Sequence, residues 1–406
     1  MDLVTPEQEE GPGEPAGPRF GLLYLGSFIS YGDRFAIAPL LVSISLDLGE
    51  SLAAVAAVAS AYFLFYGVMQ PVSGVLSDSV GRVRVTRWAL LGCGLGNLLA
   101  AAAPFLGILI VAKAVAGAFA GAILPTALVY VGDKVAFDRR QRVIASVLSA
   151  GALGTFAGSI GAGLLGHFAS WRLMFAVVGL LSLFLAAVIG RLPESLGQRR
   201  GAGPLTQLRL VARHPWALFL FALAAAEGAV ILGLFTFLAP ALEAQGSSAA
   251  VAGAVVATYG VAVFVATQLV KNLIGRTWVT PPRLITVGGM ALVMAYLVAA
   301  ANQTVPTIVV ASILIGVAFA FLHSTLQTWA TEVAPEARGT AISFFVTGVS
   351  TGAAIGTAAA AGLAGDARFG LLFLIAAVVA APIAVVAGVA RARFSRAGSL
   401  SPRDHT

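Results

Sequence analysis

Long apolar runs recur along the chain between short polar breaks, at about 20–43, 53–73, 87–103, 105–131, 142–165, 171–190, 215–240, 249–270, 284–301, 305–330, 339–363 and 369–390. Each is close to the roughly 20 residues that carry an α-helix across a bilayer. The pattern therefore predicts an all-α membrane protein of twelve transmembrane helices. Little chain is left over for a soluble domain.

One break differs from the rest. From Pro193 the segment PESLGQRRGAGPLTQLRLVARH interrupts the apolar pattern with Pro, Gly and Arg, and it divides the runs six and six. Residues 192–213 are expected to link an N-terminal six-helix bundle (20–191) to a C-terminal one (214–391). The halves also match weakly at an offset of about 198, AGAFAGAILPTALVYVGD from Ala116 lying against IGVAFAFLHSTLQTWATE from Ile315. That register sets Gly117 against Gly316 and Asp133 against Glu332, and the next helices set Gly154 and Gly158 against Gly352 and Gly356. Two packed halves can rock around a site at their interface, so the duplication points to a transporter.

Composition supports this reading. The 406 residues are 59% hydrophobic and 11% charged, whereas soluble domains carry about 25% charged residues. The net charge of +7 is distributed by face: Arg82, Arg84, Arg87, Lys134, Arg139, Arg140, Arg142, Arg191, Arg199, Arg200, Arg209, Arg213, Lys271, Arg276, Arg283, Arg338 and the RARFSR tail share one side. Only Arg172 and Arg368 fall on the other. This is the positive-inside bias. It predicts an integral plasma (inner) membrane protein with both termini cytoplasmic, and it removes the need for a nucleic-acid partner. Trp88, Trp171, Trp216 and Trp278 stand at predicted helix ends as interfacial anchors. Residues 1–19, acidic and rich in Pro and Gly, lack the basic start of a secretory signal and are expected to form a disordered cytoplasmic tail, with a second, basic tail over 392–406. The single cysteine, Cys93, excludes an intramolecular disulfide.

The loop after the second run reads GVLSDSVGRVRV. Glycine permits a tight turn and close helix approach, and Asp78 can cap a helix or pair with a cation in one conformation. Gly74, Leu76, Asp78, Gly81 and Arg82 fit the hallmark loop of the major facilitator superfamily, which this chain resembles from about Phe20 to Ala390. The equivalent second-half loop, QLVKNLIGR, keeps Gly275 and Arg276 but has Asn272 where the acid would stand. That leaves Asp78 as the main latch, with Gly74, Gly81, Arg82 and Asp133. In the fourth run Lys113 and Gly117 stand where proton-coupled members of the superfamily often carry Arg and Gly. Lysine is a point charge without the bidentate fork. In the fifth run, Gly154, Gly158, Gly161 and Gly163 resemble a degenerate form of the superfamily's antiporter motif, with Ser159 in place of Pro and Ala162 in place of Gly. The plain reading is close helix packing.

Charge is scarce in the predicted hydrocarbon: Asp33, Arg34, Lys113 and Glu227, whose formal sum is zero, with His323 and Gln327 at i, i+4 on the tenth run. Adjacent residues on a helix point about 100° apart, so Asp33 and Arg34 need partners on other helices. The resemblance implies that helices one, four, seven and ten line the cavity, which would gather all six residues at a polar midplane site. Asp33 is then expected to exchange a proton or a cationic substrate in partnership with Lys113, and Glu227 to supply a second acid. The resemblance suggests proton-coupled export of small organic or amphipathic compounds by a monomer, driven by a proton gradient with no cofactor or metal. The alternative is proton-coupled import of a small organic anion held by Arg34 and Lys113. No nucleophile elbow, metal-ligand cluster or phosphate loop suggests an enzyme.

Overall fold

A computed structural model describes residues 20–196 and 204–400. The expectations for residues 1–19 and 401–406, and for Arg199 and Arg200 within the linker, lie outside the described residues. Among the described residues the chain forms twelve helical spans and no strand. They are α1 (Gly21–Ala36 continued by Ala38–Leu48), α2 (Leu52–Val80), α3 (Arg82–Ala101), α4 (Leu106–Lys134), α5 (Phe137–Phe168) and α6 (Trp171–Ile189). After a short helix, Pro204–Arg213, come α7 (Pro215–Ala244), α8 (Ala249–Leu273), α9 (Pro281–Ala301), α10 (Val305–Val333), α11 (Arg338–Gly365) and α12 (Phe369–Leu400). Ten of these are each long and apolar enough to cross a membrane, and the bent α1 makes an eleventh. The remaining span, α3, reads as less apolar because Arg82, Arg84 and Arg87 occupy its first turns. Large side chains such as Leu95, Phe184 and Val378 are more than half exposed on the outer surface. In water they would be an aggregation surface; in a bilayer they face acyl chains.

Even crossing number puts the start of α1 and the end of α12 on one face, here the terminal face; the opposite one is the far face. Two boundaries differ from the sequence expectation. Residues 193–195 dock onto the first six helices, as described below, because the start of α3 needs their oxygens. The expected tail over 392–406 instead continues α12 as helix to Leu400.

Three spans are irregular, each for a visible reason. The break in α1, bent by 41°, falls at Pro39. Proline denies its own N–H to the helix and excludes the carbonyl four residues earlier. That carbonyl, Phe35 O, instead accepts from Ser159 Oγ of α5 at 3.3 Å. In α7 the α-helix passes into a π-helical turn, Ala229–Gly233. Side chains from other helices take its carbonyls: Tyr296 Oη donates to Val230 O at 2.5 Å and Thr357 Oγ1 to Gly233 O at 3.2 Å. In α10 a second π-helical turn, Phe319–His323, ends where Ser324 Oγ donates to Phe319 O at 3.3 Å.

Glycine sets the closest approaches, and it does so alike in both halves. Gly154 and Gly158 of α5 abut Phe28 O and Gly32 O of α1, while Gly352 and Gly356 of α11 abut Ala225 O and Ala229 O of α7. The fifth-run glycines are thus packing positions, Gly161 resting more loosely against Met174. A methyl at Gly352 would stand 1.7 Å from Ala225 O, so Gly352→Ala is expected to destabilise the protein by about 1–3 kcal/mol. Gly132→Ala, whose methyl meets nothing within 4 Å, serves as the comparison in thermal unfolding.

Contacts between the halves have a side. Gly163 meets Ala249 O and Gly253, Gly260 meets Phe156, Gly67 meets Ser350, and Gly365 meets Ala53. By their places along the helices, these contacts run from the middle of the bundle to the far face. That face is also clamped within the first half, where Arg172 pairs with Asp47 and Nη2 donates to Ala103 O at 3.0 Å.

Candidate functional site

Asp33 and Arg34 diverge as helix geometry requires. Asp33 turns into the first six-helix half, where its Oδ1 lies 2.6 Å from Lys113 Nζ, both side chains fully buried. Lys113 also donates to Asn97 Oδ1 at 2.9 Å, and its ammonium sits over the rings of Phe175 (4.4 Å) and Tyr62 (5.0 Å). Asn97 Nδ2 donates back to Cys93 O at 3.0 Å, and Cys93 Sγ stands 4.0 Å from Asp33 Oδ2. The pair therefore belongs to a sealed network joining α1, α3 and α4, with rings from α2 and α6 against the ammonium. This corrects the expectation of a single midplane cluster: Asp33 and Lys113 line no open cavity, because their rotation on α1 and α4 faces the bundle core.

Arg34 goes the other way, to the seam between the halves. Its guanidinium lies 5.0 Å from the Tyr66 ring centroid, 5.5 Å from Phe63 and 5.9 Å from Phe35. The adjoining cleft is completed from the second half by Leu232, Phe235 and Thr236, with a volume of about 10 Å³. On the far side of this seam Tyr259 stacks on Phe35 (5.3 Å) and tilts against Phe235 (4.8 Å). A larger cavity of about 520 Å³ between α7 and α12 lies on the outer face, lined by Trp216, Phe219 and Val386. It touches none of the buried acids.

The second half holds Glu227, fully buried at the entrance to the α7 π turn. Neither carboxylate oxygen has a hydrogen bond. His323 Nδ1, at the end of the α10 π turn, lies 3.3 Å from Oε1, near enough to pair but out of line for a hydrogen bond. The imidazole is stacked on Phe319 at 4.2 Å and tilted against Phe345 at 5.4 Å. Gln327 is half-buried one turn on and outside this contact. Unlike the first-half pair, this one is under-satisfied and flanked by two π turns, an irregularity frequent at functional sites.

At the terminal face the latch residues meet. Arg82, its side chain 5% exposed, pairs with Asp78 at 2.6 Å and, through Nε, with Asp133 Oδ2 at 3.2 Å. Gly81 turns the chain with φ 116°, as Gly275 does with 97° in the second half. Gly74 meets no neighbour within 4 Å. Two participants escape the motif. Glu194 accepts from Val83 N (2.8 Å) and Arg84 N (3.1 Å), capping α3, and Ser195 Oγ donates to Asp133 Oδ2 at 2.8 Å. The signal was indirect: α3 begins without a capping side chain of its own, so its first N–H groups need an acceptor from elsewhere. Glu194→Ala is expected to cost about 0.5–2 kcal/mol in thermal unfolding. In the second half Glu332 takes the place matched to Asp133, but its cation comes from α12, Arg391 forking onto it at 2.6 and 3.0 Å.

Comparison with known proteins agrees with this architecture. The family model described as the Major Facilitator Superfamily matches residues 23–303 and 242–403. The chloramphenicol resistance protein of Streptomyces lividans is 26% identical over 87% of this chain and 93% of its own length. The puromycin resistance protein of Streptomyces alboniger is 34% identical over 37% of this chain, and the multidrug resistance protein B homolog of Mycobacterium tuberculosis 31% over 42%. These two matches span 31% and 32% of the relatives' own lengths. Among solved structures, the nucleoside transporter NupG superposes with a TM-score of 0.78 at 15% identity, covering 91% of this chain and 99% of that one. A bacterial homolog of the lysosomal transporter Spinster, inward-facing and unoccupied, gives 0.73 at 16%, covering 91% and 96%. At such identities the superpositions speak for the fold.

Proposed function

This chain belongs to the Major Facilitator Superfamily, a family of membrane transporters and not of enzymes, and on that premise we propose that it exports small amphipathic compounds in exchange for protons. Both termini are cytoplasmic in this reading, supported by the one-sided distribution of Lys and Arg. The far face is then extracellular, and the contacts between the halves that run from mid-bundle to that face close the seam on the extracellular side. Export is supported by the resistance proteins among its relatives.

The observation that carries proton exchange is the buried Glu227 carboxylate, bare of hydrogen bonds and 3.3 Å from His323. A buried carboxylate with no donor is costly as an anion, and the imidazole of His323, 3.3 Å away, is the group placed to give it a proton or take one. Between them the two groups hold or release a proton as the halves rock and water reaches the π turns. The Asp33–Lys113 pair is less suited to carrying it. Protonating Asp33 would strand a buried ammonium, so the pair acts as a neutral brace that fixes α1 against α4.

The test is flux in proteoliposomes under an imposed pH gradient, with puromycin, chloramphenicol and aromatic carboxylates in the panel. Movement of at least one compound against the proton gradient supports the reading; flux indifferent to pH for every transported compound refutes coupling.

A further inference from the structure

Arg34 is the charge that this cycle leaves unassigned. Among the described residues its guanidinium has no carboxylate partner, and its buried Nε has no hydrogen bond. The nearby cation Lys113 is neutralised by Asp33, and Glu227 faces His323. The side chains against the guanidinium are the phenol ring of Tyr66 and the rings of Phe63 and Phe35. Phenols carry no negative charge at neutral pH.

Arg34 is partly buried, its Nε enclosed without an acceptor while the rest of the guanidinium keeps some exposure at the seam; losing that exposure without gaining an anion would be expensive. Its position at the seam gives the expense a use. The cleft beside Arg34 takes walls from both halves, Ala59 and Phe63 from one and Leu232 and Phe235 from the other. At about 10 Å³ it holds no more than roughly one water now, and it widens when the halves part. Apart from Thr236, whose hydroxyl already donates to Leu232 O at 3.0 Å, the walls are aromatic and aliphatic, and the remaining polar feature is a planar fork of donors that matches a carboxylate. Such a site is complementary to a ligand with a flat apolar body and a single negative group.

We infer that the transported substrate is an amphipathic organic monoanion, its carboxylate or equivalent oxyanion seated on Arg34 and its apolar body among Phe35, Phe63, Tyr66 and Phe235. The inference rests on the transport reading above and names the substrate class of that same seam. It holds for either direction of movement. A neutral or cationic compound would leave the guanidinium desolvated and unpaired, and this penalty supplies the selectivity.

Three probes of matched shape test it: naphthoate, naphthamide and naphthylmethylammonium, titrated calorimetrically into the purified full-length protein. Naphthoate is expected to bind more tightly than the other two by about tenfold or more, the worth of a charge-assisted hydrogen bond. In Arg34→Gln the affinity for naphthoate falls to that for naphthamide, and Arg34→Lys retains part of the preference. A wild-type protein with no preference for naphthoate overturns the inference, and so does unchanged naphthoate affinity in Arg34→Gln. If Arg34→Gln fails to fold, the wild-type comparison and Arg34→Lys decide. Selective binding of naphthoate with no flux of any compound in proteoliposomes would refute transport and leave the ligand class standing. Transport of neutral or cationic compounds without naphthoate binding would refute this inference alone.

Discussion

Glu227→Gln is expected to uncouple transport from the pH gradient while sparing exchange. One proton exchanged per substrate supports a concentration ratio of about tenfold per pH unit, since a tenfold ratio and a unit of pH each correspond to about 1.4 kcal/mol. With the membrane potential clamped, wild-type proteoliposomes should build that ratio and Glu227→Gln should reach a ratio of about one. Gln keeps the volume of the side chain and removes its charge, so the packing of Gly228 against Val349 O and the π turn beyond it are undisturbed. Counterflow of labelled against unlabelled substrate, which needs rocking but no net proton movement, should therefore persist. Gradient-driven accumulation that survives in Glu227→Gln would remove this residue from the coupling.

The second large effect concerns stability. Breaking a fully buried ion pair by removing one partner costs about 3–5 kcal/mol, because the surviving charge stays in a low-dielectric interior. Asp33→Asn leaves Lys113 with Asn97 and two aromatic faces but no anion, and Lys113→Met leaves Asp33 with only the distant Cys93 thiol. Each single variant should unfold at a much lower temperature. The double variant, with neither charge, should regain most of the loss, a non-additivity that a double-mutant cycle in one detergent measures directly. Additive losses would mean that the two groups do not act as a pair.

Much of the architecture was legible because bilayer physics is severe. Run length and the polar breaks located the spans, and the matched glycines foretold equivalent contacts, Gly154 on Phe28 O and Gly352 on Ala225 O. The divergence of Asp33 from Arg34 followed from the angle between adjacent helical residues. Helix rotation was not legible. A sequence tells which helix carries Lys113 but not that its side chain enters the core of the first half, and this is why the expected midplane cluster separates into a sealed pair, a seam cation and a second buried pair. The irregular turns were also hidden. They depend on acceptors and donors distant in sequence, such as Ser159 reaching Phe35 O and Tyr296 reaching Val230 O. Glu194 was obscured for a different reason: it stands in a segment whose Pro and Gly mark a linker, although its carboxylate completes the start of α3.

The central claim assigns the travelling proton to Glu227 and His323 and not to Asp33 and Lys113. A pH-sensitive dye sealed inside proteoliposomes, read while a substrate gradient is applied at equal pH on both sides, tests it most directly. The account predicts a substrate-driven pH change in the wild type and in the Asp33→Asn/Lys113→Met double variant, and none in Glu227→Gln while substrate still moves. A pH change that persists in Glu227→Gln and vanishes in the double variant would contradict it.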